Sequence, residues 1–333
     1  MLRTAVAASI LTNQPVRIHS IRGALRRPGL NSEDLTVISG FGAASNAEYP
    51  DLDIGMREFT FEPKSPIHPV RQKLDVHSHE KGLVPGSALI VLSSLLPVLG
   101  RATGVSRIKA FGETHNSGTI SYDAFERVSL AVHRKQGLYA FPTLVSPGFG
   151  FGAHGEVDIE IEPGQYEPLV WDKRGALKEM RAVFTYHGLP DDAVKNQADL
   201  LEATAQKSGW EMETELLPIS ARMQGCCVTL WAEFEHGFGT STASLRHGTK
   251  LDELSSTAWQ GFVPWLLSDA AVDPFLADQM LLPAAFADGR THFTTSCITK
   301  RLQTMAWVIK QFMPIKITVL GREGEPGSIT IER

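Results

Sequence analysis

The chain reads as an α+β protein, and three patterns carry that reading. Residues 157–161 alternate, with Val157, Ile159 and Ile161 on one side and acids on the other, the period of a half-buried strand. Leu302, Met305, Ala306, Ile309 and Phe312 recur at the spacing of one helix face. After Pro163 a compact unit follows in the order strand, helix, two strands, helix, which makes a small sheet with helices on one face.

The first element expected is a helix over residues 5–11. Arg3 ahead of its apolar residues gives the start a leader-like look, but the stretch is short and runs into a turn at Asn13-Gln14-Pro15 and a strand over 16–18, so a core helix is the expectation. Arg17, His19, Arg22, Arg26 and Arg27 then crowd one segment of a chain whose formal charge is −5. Guanidinium forks suit phosphate or carboxylate, so this basic loop is a candidate anion site; a solvated loop is the alternative. Pro28-Gly29 marks a turn, and Asn31 or Ser32 with Glu33 and Asp34 starts a helix.

His77-x-His79 has the spacing of two metal ligands on one strand face, with no third ligand in register, and no metal site is assigned. Gly86-Ser87 precedes a buried core helix, Ala88–Leu99, the longest apolar run and far short of the ~20 residues a membrane span needs. A strand over 105–111 leads into a polar turn holding Glu113, His115 and Asp123, where His115 is a candidate acid or base. Gly150-x-Gly152-x-x-Gly155 has the spacing of a dinucleotide loop, but a strand follows it where a phosphate-holding helix must begin, so it reads as a turn.

In the compact unit, strands are expected over 180–187, 211–217 and 226–235, with helices begun by Pro190-Asp191 and over 251–267. The next helix, residues 272–289, is expected to be interrupted by Pro283 and carries Asp278 and Gln279 among apolar residues, which must be hydrogen-bonded or face a cleft. Lys300 and Arg301 fall in the first turn of the last helix and oppose its dipole, which an anionic ligand or plain solvation would explain. Strands over 315–320 and 328–332 close the chain. Cys226, Cys227 and Cys297 are sparse, the adjacent pair points to opposite faces of a strand, and no N-x-Ser/Thr acceptor occurs; these favour a reducing, intracellular setting, cytoplasmic or nuclear.

Several segments, in order, resemble the RNA 3′-terminal phosphate cyclase family: "LRTAVAASILTNQPVRIHSIR", "RPGLNSEDL", "PGSALIVLSSLLPVL", "GFGFGAHGEV", "RGALKEMRA", "AVDPFLADQMLLPAAFADG" and "LQTMAWVIKQF". The resemblance implies a large domain of repeated β-α-β-α-β-β units, shared with enolpyruvyl transferases, over 1–178 and 255–333, with a small inserted domain over 179–254. It further implies chemistry in which a histidine attacks ATP, AMP passes to an RNA 3′-phosphate, and the 2′-hydroxyl displaces it, with Mg²⁺ as the metal. An imidazole suits that role because its nitrogen accepts and releases a phosphoryl group near neutral pH.

By the same resemblance this chain departs from the family. Arg301 stands at the nucleophilic histidine's position with Lys300 beside it, and arginine stays protonated. The family's opening strand and Glu-Gly-Gly-Gly-Gln turn have no counterpart ahead of "LRT". Its Gln-His pair is Glu33-Asp34, its core-helix glutamine is Ser93, and its second loop arginine is Leu25, with Arg26 or Arg27 able to replace it. Its glycine turn is eroded at Pro147, Phe151 and Ala153-His154 and is expected at the rim of the cleft. Arg3, Arg22, Asp278 and Gln279 remain in place. The resulting expectation is a cyclase-like protein that binds an RNA 3′ end or another phosphorylated ligand without the histidine–AMP step, with possible protein partners through the insert and no membrane association. The alternatives are an enzyme on a small anionic metabolite, with Arg3, Arg22 and Arg301 as clamp and Asp278, Glu33 or His115 as acid or base, and an ATP- and Mg²⁺-dependent cyclase with a displaced nucleophile.

Overall fold

The computed structural model describes residues 1–79, 86–116, 118–245 and 250–333. The first set of elements is α1 (Leu2–Thr12), β1 (Val16–Ile18), α2 (Ser32–Ser45) and β2 (Phe59–Phe61), with β1 and β2 antiparallel. The second comprises β3 (Arg71–Asp75), α3 (Ala88–Leu99), β4 (Ser106–Gly112), α4 (Tyr122–Ala124), a π turn (Phe125–Ser129), α5 (Leu130–Lys135), β5 (Tyr139–Ser146) and β6 (Gly155–Glu162). The third opens with β7 (Val170–Trp171) and is then interrupted by an insert of β8 (Leu177–His187), α6 (Asp191–Lys207), β9 (Glu213–Pro218), β10 (Gly225–Phe234), β11 (Gly237–Ser244) and α7 (Leu254–Leu266). It resumes with α8 (Pro274–Ala285), β12 (Arg290–Thr295), α9 (Lys300–Lys310), β13 (Lys316–Leu320) and β14 (Gly327–Glu332).

The second and third sets share one topology. Their sheets run β3-β4-β6-β5 and β7-β12-β14-β13. In each, the first two strands are parallel and the remaining pairs antiparallel, so both are β-α-β-α-β-β units. The sequence echoes this: α3 carries Leu95-Leu96-Pro97 and α8 carries Leu281-Leu282-Pro283 at matching helix positions. Pro283 does not interrupt α8, which runs on to Ala285, because a proline in the last turn removes little of the hydrogen-bond ladder. One apolar cluster joins the three units, with Val6, Leu92, Leu95, Met280 and Leu281 fully buried among its members.

The insert has a sheet of order β11-β10-β8-β9 and a core of its own built on Phe184, Val228, Leu230 and Phe262. Its strand β11 is absent from the expected pattern because Gly237 and Gly239 replace the large apolar residues that mark a strand. The packing requires glycine there: a Cβ on Gly239 would lie 2.3 Å from the Trp265 indole of α7. The insert's apolar cluster runs on to Leu266 and so includes the buried face of α7. His77 and His79 are also not strand neighbours, since β3 ends at Asp75 and both lie in a 3-10 turn. Among the described residues no helix is long and apolar enough to cross a membrane, and no three acidic, histidine or cysteine side chains converge as metal ligands.

Burial also sets a pH dependence. His133 on α5 is enclosed, and burial lowers its pKa from 6.5 to about 4, with the neighbouring Gln136 side chain pulling the other way. The unfolded chain therefore binds a proton between pH 6.5 and 4 that the folded chain refuses, so this contribution to stability is lost as pH falls through that window. Between pH 7 and 5 the wild type should lose about 2 kcal/mol more than His133→Leu in urea melts. Equal losses would remove His133 as the cause.

Candidate functional site

The first turns of helices set the site. Asn31 caps α2: its side chain accepts from Asp34 N, and Asp34 Oδ2 accepts from Asn31 N at 3.2 Å, a reciprocal capping box that fixes Asp34 at the helix start. The other lone pairs of that carboxylate hold two arginines. Arg3 Nε donates to Asp34 Oδ1 at 3.3 Å, and Arg22 Nη1 donates to Asp34 Oδ2. Arg3 Nη2 also donates to Glu33 Oε2 at 3.1 Å, while Glu33 Oε1 accepts from the N–H of Ser87, the N-cap of α3. Arg22 is further held by the Gly29 carbonyl at 2.9 Å and sits at φ 48°, beside Ser20 at φ 56°. Two non-glycine residues in the left-handed region within three positions are a strained loop held by its surroundings.

Across the cleft, Asp278 of α8 accepts from Arg301 Nε, and its other oxygen accepts from Thr299 Oγ1 at 3.3 Å. Thr299 is the N-cap of α9. The two cations that oppose the α9 dipole are thus partly explained by a protein carboxylate. Burial raises the Asp278 carboxyl above the ordinary range, against the pull of Arg301 and Thr299. Arg301 remains half exposed, and its guanidinium lies 5.0 Å from the Phe275 ring.

These groups surround one cavity of about 1100 Å³ between α1, the basic loop, α3, α8 and α9. Its wall brings together Arg3, Arg22, Asp34, Asp278, Gln279 and Arg301. Ser93 and Gln279, each four residues before its helix proline, also face it, and Ser93 Oγ and Gln279 Oε1 are buried with no hydrogen-bond partner among the described residues. Unsatisfied buried polar atoms are uncommon in folded proteins, and two on one cavity wall mark a place for polar ligand atoms. His19 lies on the wall as well, with Nδ1 3.1 Å from Ser20 Oγ.

Other expected site residues lie elsewhere. Arg26, Arg27 and Lys300 are exposed and do not line the cavity, although Arg26 follows Leu25 and Lys300 precedes Arg301, which do. Glu33 stands behind the wall and reaches it through Arg3. His115 is not at the cavity. It is sealed at the seam with the insert, Nδ1 2.8 Å from Thr114 Oγ1 and Nε2 3.5 Å from Asp123, which in turn accepts from Thr185 of β8. The glycine turn is likewise away from the cavity rim. Gly150 and Gly152 take φ of 79° and 70°, Gly152 N donates to Glu113 Oε1 at 3.0 Å, and Phe149 packs on Gly225 of the insert. Asp34, expected only as an acid at a helix start, is the anchor of the site; the Asn31-x-x-Asp34 spacing is the local signal for its place.

Comparison with known proteins adds the family. The RNA 3′-terminal phosphate cyclase family matches residues 1–319. This chain belongs to that family. The cyclase of Pseudomonas fluorescens is 32% identical over 323 residues, covering 95% of this chain and 90% of that protein. The cyclase of Methylococcus capsulatus is 28% identical over 333 residues, covering 99% and 92%. That of Archaeoglobus fulgidus is 29% identical over 313 residues, covering 94% and 92%. The enolpyruvyl transferase NikO of Streptomyces tendae superposes with a TM-score of 0.38 at 14% identity, covering 99% of this chain and 45% of that one, and the family assignment rests on the sequence relatives alone.

Proposed function

We propose that this cyclase-family chain binds the phosphorylated 3′ end of an RNA, or a ligand of like chemistry, without forming histidine–AMP. The observation that supports this is the composition of one cavity: three guanidiniums and two buried polar atoms without partners face it, while the first turn of α9 presents Thr299, Lys300 and Arg301 and no imidazole. Guanidiniums bind and orient phosphate oxygens but cannot serve as the transferable nucleophile. Among the described residues a protein-held Mg²⁺ has no ready carboxylate set, because Asp34 and Asp278 already hold arginines. A small anionic metabolite would use the same three arginines as a clamp.

One observation favours a second reading. His19 is on the cavity wall, and with Nδ1 beside Ser20 its Nε2 is the nitrogen that could attack the α-phosphorus of ATP as pyrophosphate leaves. Incubation with ATP labelled at the α-phosphate separates the two. The expected result is no acid-labile adduct, together with saturable binding of a 3′-phosphorylated oligonucleotide that weakens with salt. An adduct that disappears in His19→Ala would instead establish a displaced nucleophile.

A further inference from the structure

The charges of the cavity cancel. Arg3, Arg22 and Arg301 face it, and every one of them is bonded to a buried or nearly buried carboxylate: Arg3 to Glu33 and Asp34, Arg22 to Asp34, Arg301 to Asp278. Side-chain exposure is 12% for Glu33, 1% for Asp34 and 5% for Asp278, so solvent screens these acids poorly. Three cations stand against three anions, two of them on the wall, Asp34 and Asp278, and the third, Glu33, directly behind it. Arg26 and Arg27 add positive charge only from exposed positions outside it, where salt screens them.

The arginines nonetheless keep free donors. Each guanidinium has five N–H groups. Arg301 uses Nε on Asp278, and Arg22 uses Nη1 on Asp34 and Gly29. Both Nη atoms of Arg301 and Nη2 of Arg22 have no protein partner among the described residues. That supply satisfies the oxygens of one phosphate. It does not offset the charge of a triphosphate, whose two further phosphoryl groups would lie in the field of three poorly screened carboxylates. Adding like charge to such a site is how a protein rejects a competing ligand without losing its own.

We infer that the cavity accepts a single phosphomonoester and rejects nucleoside triphosphates, with Glu33 and Asp278 as residues that set this selectivity. The inference rests on the reading of the cavity as an anion site. A phosphomonoester could come from an RNA 3′ end or from a free nucleotide, and the arms of the test tell these apart.

Calorimetric titration at about 150 mM salt, the physiological range, would compare 3′-AMP, a short 3′-phosphorylated oligonucleotide and ATP without added metal. Both monoesters should bind at least about tenfold tighter than ATP. A further gain for the oligonucleotide over 3′-AMP would assign the RNA end; equal affinities would assign the free nucleotide. Glu33→Gln removes one negative charge while keeping the acceptor for Ser87 N, and should raise ATP affinity about three- to tenfold with a smaller change for 3′-AMP. Asp278→Asn should do the same from the opposite wall, and serves if Glu33→Gln does not fold. ATP binding as tightly as 3′-AMP to the wild type, or equal shifts for both ligands in both variants, would overturn the selectivity. If no arm binds, the anion-site reading fails and the selectivity with it.

Discussion

Asp34→Ala is expected to cost about 3–5 kcal/mol of stability and to abolish anion binding in the cavity. The size follows from what the carboxylate holds. Its side chain is 1% exposed, and it accepts from Arg3, Arg22 and the Asn31 N–H. Removing it leaves Arg22 without a charge partner and Arg3 with Glu33 alone, beside a buried gap, which is more costly than the loss of the ion pairs alone. It also undoes the capping box of α2, worth about 1 kcal/mol. Asp34→Asn keeps an acceptor and should lose less stability than alanine, while still releasing Arg22 from its charge partner. Denaturant melts at neutral pH read the first effect and titration with a 3′-phosphorylated oligonucleotide the second. A loss below about 1 kcal/mol with binding intact would mean that Arg3 and Arg22 hold their places without Asp34.

Gly29→Ala is expected to cost about 3 kcal/mol and to displace Arg22. Gly29 has φ 91°, and a Cβ there would lie 2.2 Å from the Gly55 carbonyl oxygen, a backbone atom that cannot swing aside. The Gly29 carbonyl accepts from Arg22, and Gly29 N donates to Ile21 O, so any shift passes to the loop that carries the arginine. Gly55→Ala is the control. Gly55 has φ 83° but nothing within 4 Å of the added carbon, so only the conformational cost of about 1–2 kcal/mol applies. Equal losses in the two variants would show that close approach to Gly55 contributes nothing, and unchanged anion affinity in Gly29→Ala would detach the turn from the site.

Local patterns made much of the fold legible. The alternation in residues 157–161 is β6, with Val157, Ile159 and Ile161 buried; the apolar run Ala88–Leu99 is α3; and the acids after Asn31 open α2. These features depend on neighbours a few residues apart, which is the range over which periodicity and capping act. Strand β11 was not legible, because glycine at 239 answers a contact with Trp265 on a helix that follows later in the chain, and glycine at 237 one with the Ala271 backbone. The helical stretch after Ser121 was hidden for a related reason: the π turn at Phe125–Ser129 breaks the regular spacing of its buried face.

The candidate site divides in the same way. The residue types were visible: a basic loop, an Asp-Gln pair in apolar company, cations at the start of the last helix, and the family resemblance that ordered them. Their relations were not. Arg3 meets Asp34 across 31 positions, and Arg301 meets Asp278 across 23. His115 carried the stronger local signal for catalysis and is sealed at the insert seam, while His19, one of several basic residues in a loop, is on the cavity wall. Residue order thus established the elements, the family and the chemical groups available, because those are encoded in short-range spacing and identity. Which acid neutralises which arginine, and so what charge the cavity presents to a ligand, came from packing the three units together, because Coulomb interactions depend on distance in space and on burial rather than on separation along the chain.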